Sequence, residues 1–139
     1  MEKIIISLEV VKAVSNDLHY FVKGDAFYGK HLLMDRINEN LQGFIDDIKE
    51  NYYMARGLIV PLNKETLYKA CEAIKYPETP RGGREDIEIL SNALKVALYT
   101  IEGFIRENRE TLTAGDNDLL GRISSDLQKS YGLLQRVLL

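Results

Sequence analysis

The sequence predicts an all-α domain of four long helices, with one long crossover between the second and the third. Apolar residues recur at intervals of three and four through four extended stretches, the spacing of an amphipathic helix. All three prolines, Pro61, Pro77 and Pro80, fall inside one segment, Gly57–Arg84. No stretch alternates for long enough to make a strand of useful length. With 139 residues, 45% of them apolar, the chain can bury roughly two-thirds of its unfolded surface. That supports one domain, residues 1–139, with no internal repeat or low-complexity tract.

Taken in order, the first helix should run from Lys3 to Val22, with Ile4, Leu8, Val11, Ser15, Leu18 and Val22 on its inner stripe. Lys23-Gly24-Asp25 reads as a stop and restart: Gly suits the left-handed residue after a helix, and Asp can accept from the free donors of the next. The second helix should run unbroken from about Ala26 to Arg56 and stop before Gly57, burying Phe27, Leu32, Leu33, Ile37, Leu41, Phe44, Ile45 and Ile48. So short a connection makes the first two helices antiparallel neighbours. Within the crossover, Lys64–Ile74 is a short helix that Asn63 could cap. The third helix spans about Arg84–Asn108, with Ile87, Leu90, Leu94, Ala97, Ile101, Phe104 and Ile105 inward. The fourth spans about Asn117–Leu138, with Leu120, Ile123, Leu127, Tyr131, Leu134 and Leu138 inward. One long connection in the middle is the plan of a ferritin-like four-helix bundle, not of a simple up-down-up-down one.

Charge and composition exclude several classes of function. Eighteen Lys plus Arg against 21 Asp plus Glu leave a net charge of −3, which argues against binding nucleic acid by bulk charge. No uncharged apolar run approaches the ~18 residues of a membrane span. Met1–Val14 contains Glu2 and Glu9 and no cleavage signal, so a soluble, unprocessed chain is expected. The lone Cys71 cannot form an intrachain disulfide, and a reducing, cytoplasmic setting is the default. It is expected to be packed on the crossover helix, not reactive. Pro80-Arg81-Gly82-Gly83-Arg84 lacks the spacing and Lys-Ser/Thr of a phosphate loop and reads as the start of a helix. No Gly-x-Ser-x-Gly or Cys/His arrangement supports nucleophilic catalysis.

The only two histidines, His19 and His31, flank the short hairpin. His31 and Asp35 are four apart on the second helix, as are Asp46 and Glu50, so each pair projects from one helical face. Imidazole with carboxylate, and no thiolate, suits iron and similar divalent metals. At ~100° and ~1.5 Å per residue, the step from Asp35 to Asp46 is about three turns, placing both pairs on nearly the same face but roughly 16 Å apart. One ion cannot reach both pairs of one chain. If two copies of this helix pack antiparallel across a twofold axis, meeting positions have a constant sum, and 31 with 50 and 35 with 46 give the same sum. Both pairs then meet around one dyad near Asn40–Leu41, giving two sites per dimer, each with His31 and Asp35 from one chain and Asp46 and Glu50 from the other. His19 joins the His31 end. On residue type alone the same run, with Arg36, Glu39, Asp47 and Lys49, is also the ordinary solvated face of a long helix.

The run HYFVKGDAFYGKHLLMDRINENLQGFIDDIKE, His19 to Glu50, resembles the signature of the Dps family, small ferritin-like proteins that oxidise and store iron. In that family a His on the first helix, a His twelve residues on, an Asp four further, an Asp eleven on and a Glu four after that form a ferroxidase centre between two subunits. His19, His31, Asp35, Asp46 and Glu50 fall on those positions without a gap, and Gly24 and Phe27 match the hairpin. Ala114-Gly115-Asp116 and Leu119-Leu120 echo the family's start of the last helix. The resemblance implies ferroxidase chemistry on Fe(II), with hydrogen peroxide in preference to dioxygen, at intersubunit di-iron sites. It further implies a hollow dodecamer built from twofold dimers, with ferric mineral inside.

Several positions depart from the pattern. Tyr20 stands where Trp is usual, and Asn51 where Arg is usual. The start of the last helix is about three residues short, leaving Asp116, Asp118 and Asp126 as the acids for a threefold iron pore, with Arg122 among them. No Lys-rich tail is present, so weak or no binding to duplex DNA is expected near physiological salt. The Glu-x-x-His pairs that hold di-iron within one bundle are missing. Two other classes compete: a structural or DNA-compacting assembly whose site is vestigial, and a simple metal-binding dimer holding zinc or manganese without turnover.

Overall fold

The structure, a computed structural model, describes residues 1–79 and 81–139. Among these there are helices and no strands. Helix α1 (Glu2–Phe21) buries Ile4, Ile5, Leu8, Val11, Val14 and Leu18 completely, as its apolar stripe demands. Val22 lies just beyond the helix in extended conformation, still buried, its N–H on Leu18 O at 2.9 Å. The hairpin that follows uses two left-handed residues, Gly24 (φ 79°) and Ala26 (φ 58°). Asp25 caps nothing: Ala26 precedes α2 (Phe27–Asn38), and no side chain closes that end. A left-handed alanine costs about 1–2 kcal/mol; it is the conformation that lets so short a turn reverse the chain.

The expected single helix from Ala26 to Arg56 is segmented. After α2, Glu39 and Asn40 keep right-handed angles, but Asn40 sits at φ −97°, ψ −7°, and α3 begins at Leu41 and runs to Ile48. The asparagine side chains at the break bond across the bundle, not to their own backbone. Asn38 turns its amide to α1, donating to Lys12 O at 2.9 Å and Ser15 Oγ at 3.2 Å. Lys49–Tyr53 then form a π-helical turn and Met54–Arg56 a 3₁₀ turn, closed by left-handed Gly57 (φ 66°). The wide turn has a packing consequence. Inward residues Ile45 and Ile48 would be followed by Tyr52 in a regular helix, but the extra residue per turn brings Tyr53 into the core instead.

Phe27 and Leu32, expected inside, are 43% and 47% exposed, whereas Met34 is fully buried. Helix α4 (Asn63–Ala73) starts on Asn63 itself, with Leu62 in the capping position, so Asn63 is not the cap. Its inner face is Thr66 and Ala70; Cys71, one residue on, is exposed and not packed. Helix α5 (Arg84–Glu107) follows Gly83 as anticipated; Pro80 of the preceding run lies outside the described residues. Helix α6 (Ala114–Leu138) starts three residues before Asn117, because Thr113 and Asp116 form a capping box. The Asp116 N–H donates to Thr113 Oγ1 at 3.1 Å and the Thr113 N–H to Asp116 Oδ2 at 2.9 Å, satisfying two orphan donors reciprocally.

Around the bundle, α1 packs on α2 and α5, α6 packs on α5 and α2, and α3 continues α2 along α1 and α6. Among the described residues the backbones of α5 and of α2 and α3 nowhere come within 8 Å, Cα to Cα, so these form the diagonal. The long crossover lets α5 return beside α1, and α4 lies outside, against α1 alone. One continuous apolar cluster joins all four walls. At Gly82 (φ 93°) the crossover passes so close to α1 that an added Cβ would lie 1.8 Å from Phe21 O.

Candidate metal centre

The α1–α2 hairpin brings His19 and His31 face to face. Their rings stack with centroids 3.7 Å apart and planes at 27°. Each Nδ1 reaches the other residue's backbone: His31 Nδ1 to His19 O at 2.6 Å, and His19 Nδ1 to His31 O at 3.1 Å. A carbonyl oxygen only accepts, so each Nδ1 carries the proton. Both rings are thereby fixed with Nδ1 engaged and Nε2 outside these bonds, the arrangement by which ligating histidines are oriented. Phe27 lies against His31 with centroids 5.4 Å apart, and Tyr20 meets His19 edge-on at 5.0 Å. Tyr20 is 72% exposed on this single chain.

The three carboxylates are placed differently. Asp35 on α2, Asp46 on α3 and Glu50 in the π-helical turn are all exposed. A π-turn is a common companion of functional positions, and this one carries Glu50. Asp46 accepts from Gln42 Nε2 at 3.0 Å. The structure brings the two histidines together and sets Asp35 one turn beyond His31, but it does not bring these to Asp46 and Glu50. Among the described residues of one chain, no group of three or more His, Cys, Asp or Glu side chains is disposed to hold a metal. The break at Asn40 falls between the two pairs, on the axis expected for the dyad.

The acids anticipated for a pore are otherwise engaged. Asp116 is buried in the capping box and receives a two-pronged bond from Arg56, whose guanidinium stacks on Tyr52 with its carbon 4.3 Å from the ring centroid. Burial pushes the Asp116 carboxyl up, but the bonds from Arg56 and Thr113 outweigh it and hold it below the usual carboxylate range. The bond to Asp116 raises the Arg56 guanidinium in turn. Asp118 pairs with Arg122 at 3.1 Å along the surface of α6. Asp126 is half-buried, 3.5 Å from Asn40 Nδ2. Sequence reasoning missed Arg56 and Gln42: an ion pair across 60 positions leaves no local signal, though Thr113-x-x-Asp116 is a legible capping box. Tyr53, the last residue of the π-turn, is pushed up to about 12 by burial, with Glu2 and Tyr52 adding to it.

This architecture, a four-helix ring with a long crossover and an outlying crossover helix, is that of the ferritin-like helical bundles. Within that class it has the fold of a Dps protein: a Phe-to-Glu mutant of Mycobacterium smegmatis Dps1 superposes with a TM-score of 0.82 over 99% of this chain and 91% of that one, at 18% identity. No family model and no curated protein matches the sequence. No helix among the described residues is long and apolar enough to cross a membrane.

Proposed function

We propose that the chain is a Dps-type ferroxidase, taking up Fe(II), oxidising it at sites shared between two subunits, and storing the ferric product inside a dodecameric shell in the cytoplasm. His19, His31 and Asp35 of one subunit would face Asp46 and Glu50 of the other. The observation that carries this reading is the reciprocally bonded, stacked histidine pair, which engages both Nδ1 atoms and keeps both Nε2 atoms out of those bonds. A pair of solvated surface histidines has no reason to adopt it. The separation of Asp35 on α2 from Asp46 on α3 and Glu50 in the π-helical turn supports the sharing between subunits.

Iron is the substrate. The carboxylates neutralise the cations and favour Fe(III), hard oxygen donors being the better match to the higher charge. With hydrogen peroxide as oxidant, two Fe(II) give one electron each, the O–O bond breaks, and two protons complete two waters. Taking both electrons at one site avoids release of hydroxyl radical. Binding of duplex DNA is expected to be weak, given the net charge of −3.

The test is anaerobic loading of apo-protein with about two Fe(II) per chain and then one peroxide per two irons, the stoichiometry of a two-metal site. Ferric absorbance and radical yield are followed beside an Asp46→Ala, Glu50→Ala variant. Fast oxidation with little radical, lost in the variant, supports the reading. Equal rates in both proteins reject it in favour of a structural or simple metal-binding bundle.

A further inference from the structure

Among the described residues, Asp46 is the only one of the three carboxylates with a side-chain hydrogen-bond partner, and that partner is itself held. Gln42 Nε2 donates to Asp46 Oδ1 at 3.0 Å, and Gln42 Oε1 accepts from Lys12 Nζ across the α1–α3 contact. Lys12 also lies 3.9 Å from Glu9, a carboxylate only 4% exposed. The order of these contacts fixes the amide. An ammonium can only donate, so the oxygen of Gln42 must face Lys12 and its NH₂ must face Asp46. An isolated i,i+4 amide–carboxylate pair on an exposed helix is worth little. This one is aimed from a second helix by a cation anchored at a buried acid.

Resting on the ferroxidase reading above, we infer that Lys12 and Gln42 are positioning residues for Asp46. They occupy Oδ1 and leave Oδ2 as the single ligating oxygen, so that Asp46 binds through one atom. Neither residue touches the substrate ion. Their role is to set the denticity and direction of a ligand supplied to the partner subunit's histidines. Outer partners of this kind are typically worth about 10- to 100-fold in metal affinity.

Co(II) titration of the assembled protein, read by its visible d–d absorption, separates the possibilities, with Asp46→Ala as the reference for loss of the site. Gln42→Met and Lys12→Met keep the apolar stems and remove the bonds. Each should weaken Co(II) binding about 10- to 100-fold and lower the band intensity, as Asp46 becomes free to chelate and the coordination number rises. Lys12→Arg, which keeps the cation, should restore both affinity and spectrum. If Asp46→Ala abolishes the Co(II) band while Gln42→Met and Lys12→Met bind as wild type does, the positioning role is wrong and the metal site stands. If Asp46→Ala itself binds Co(II) unchanged, the metal-site reading fails and this inference with it.

Discussion

A site divided between two chains makes a quantitative demand that a site within one chain does not. Consider two variants, His31→Ala with Asp35→Ala, and Asp46→Ala with Glu50→Ala, each expected to be inactive alone. In a mixed dimer one site collects all four lesions and the other collects none, since the intact His31 and Asp35 of one chain meet the intact Asp46 and Glu50 of the other. Random pairing of equal amounts makes half the dimers mixed, each with one working site, so the mixture should recover about a quarter of wild-type activity. No alternative within one chain is present among its described residues. His19→Ala sharpens the test. Because His19 stacks on His31, it should complement the Asp46/Glu50 variant to the same level and fail to complement the His31/Asp35 variant. The assay is initial ferric absorbance after co-refolding, against unmixed controls. A mixture as inactive as its components would refute the dyad.

Other expectations concern the fold. Asp116→Ala removes half of a capping box, about 1 kcal/mol, and leaves Arg56, 27% exposed, without its carboxylate; urea unfolding at fixed protein concentration should show a loss of about 3 kcal/mol. The native Asp116 carboxyl is held low, so its stabilisation is complete above the unfolded value near 4 and disappears as pH falls through the native one. The acid limb of the stability curve should therefore flatten in Asp116→Ala, and an unchanged limb would contradict the pair. Gly82→Ala should be far more damaging than Gly24→Ala, since the first drives Cβ onto Phe21 O and the second meets open space; equal melting temperatures would be incompatible with this close approach. Tyr53, held at about 12, stays protonated in the folded protein after free tyrosine ionises near 10. Stability should fall between those values of pH, and Tyr53→Phe should reduce the fall seen by ultraviolet phenolate titration with circular dichroism.

The parts of the fold legible in the sequence are those set by periodicity. The stripe from Ile4 to Leu18 and that from Ile87 to Ile101 are buried as their spacing requires, and the hairpin follows from Gly24. What was not legible depends on partners outside the local window. The break at Asn40 lies beside Asn38, whose amide bonds across to α1, a contact no helix propensity registers. The shift from Tyr52 to Tyr53 follows from a π-turn that periodicity at 3.6 cannot anticipate. Residue type favours a packed Cys71, but Thr66 and Ala70 set the inner face of α4. It favours Phe27 and Leu32 inside as well, yet both stand exposed on the helix that carries His31 and Asp35. The histidine spacing was readable. That their Nδ1 atoms cross-bond was not, because it depends on how steeply two helices approach at a turn.

That cross-bonding ties chemistry to the mechanical register of the hairpin. Residues 19 and 31 each hold the other's ring by backbone oxygen, so a slip of α1 along α2 by one turn would release both imidazoles together. Ring orientation and helix alignment are then one variable, not two. On the proposed ferroxidase reading, a hairpin assembled out of register would form a bundle with its proposed ligands scrambled, and such a chain should reveal itself by failing to take up metal before any difference in helix content could be measured.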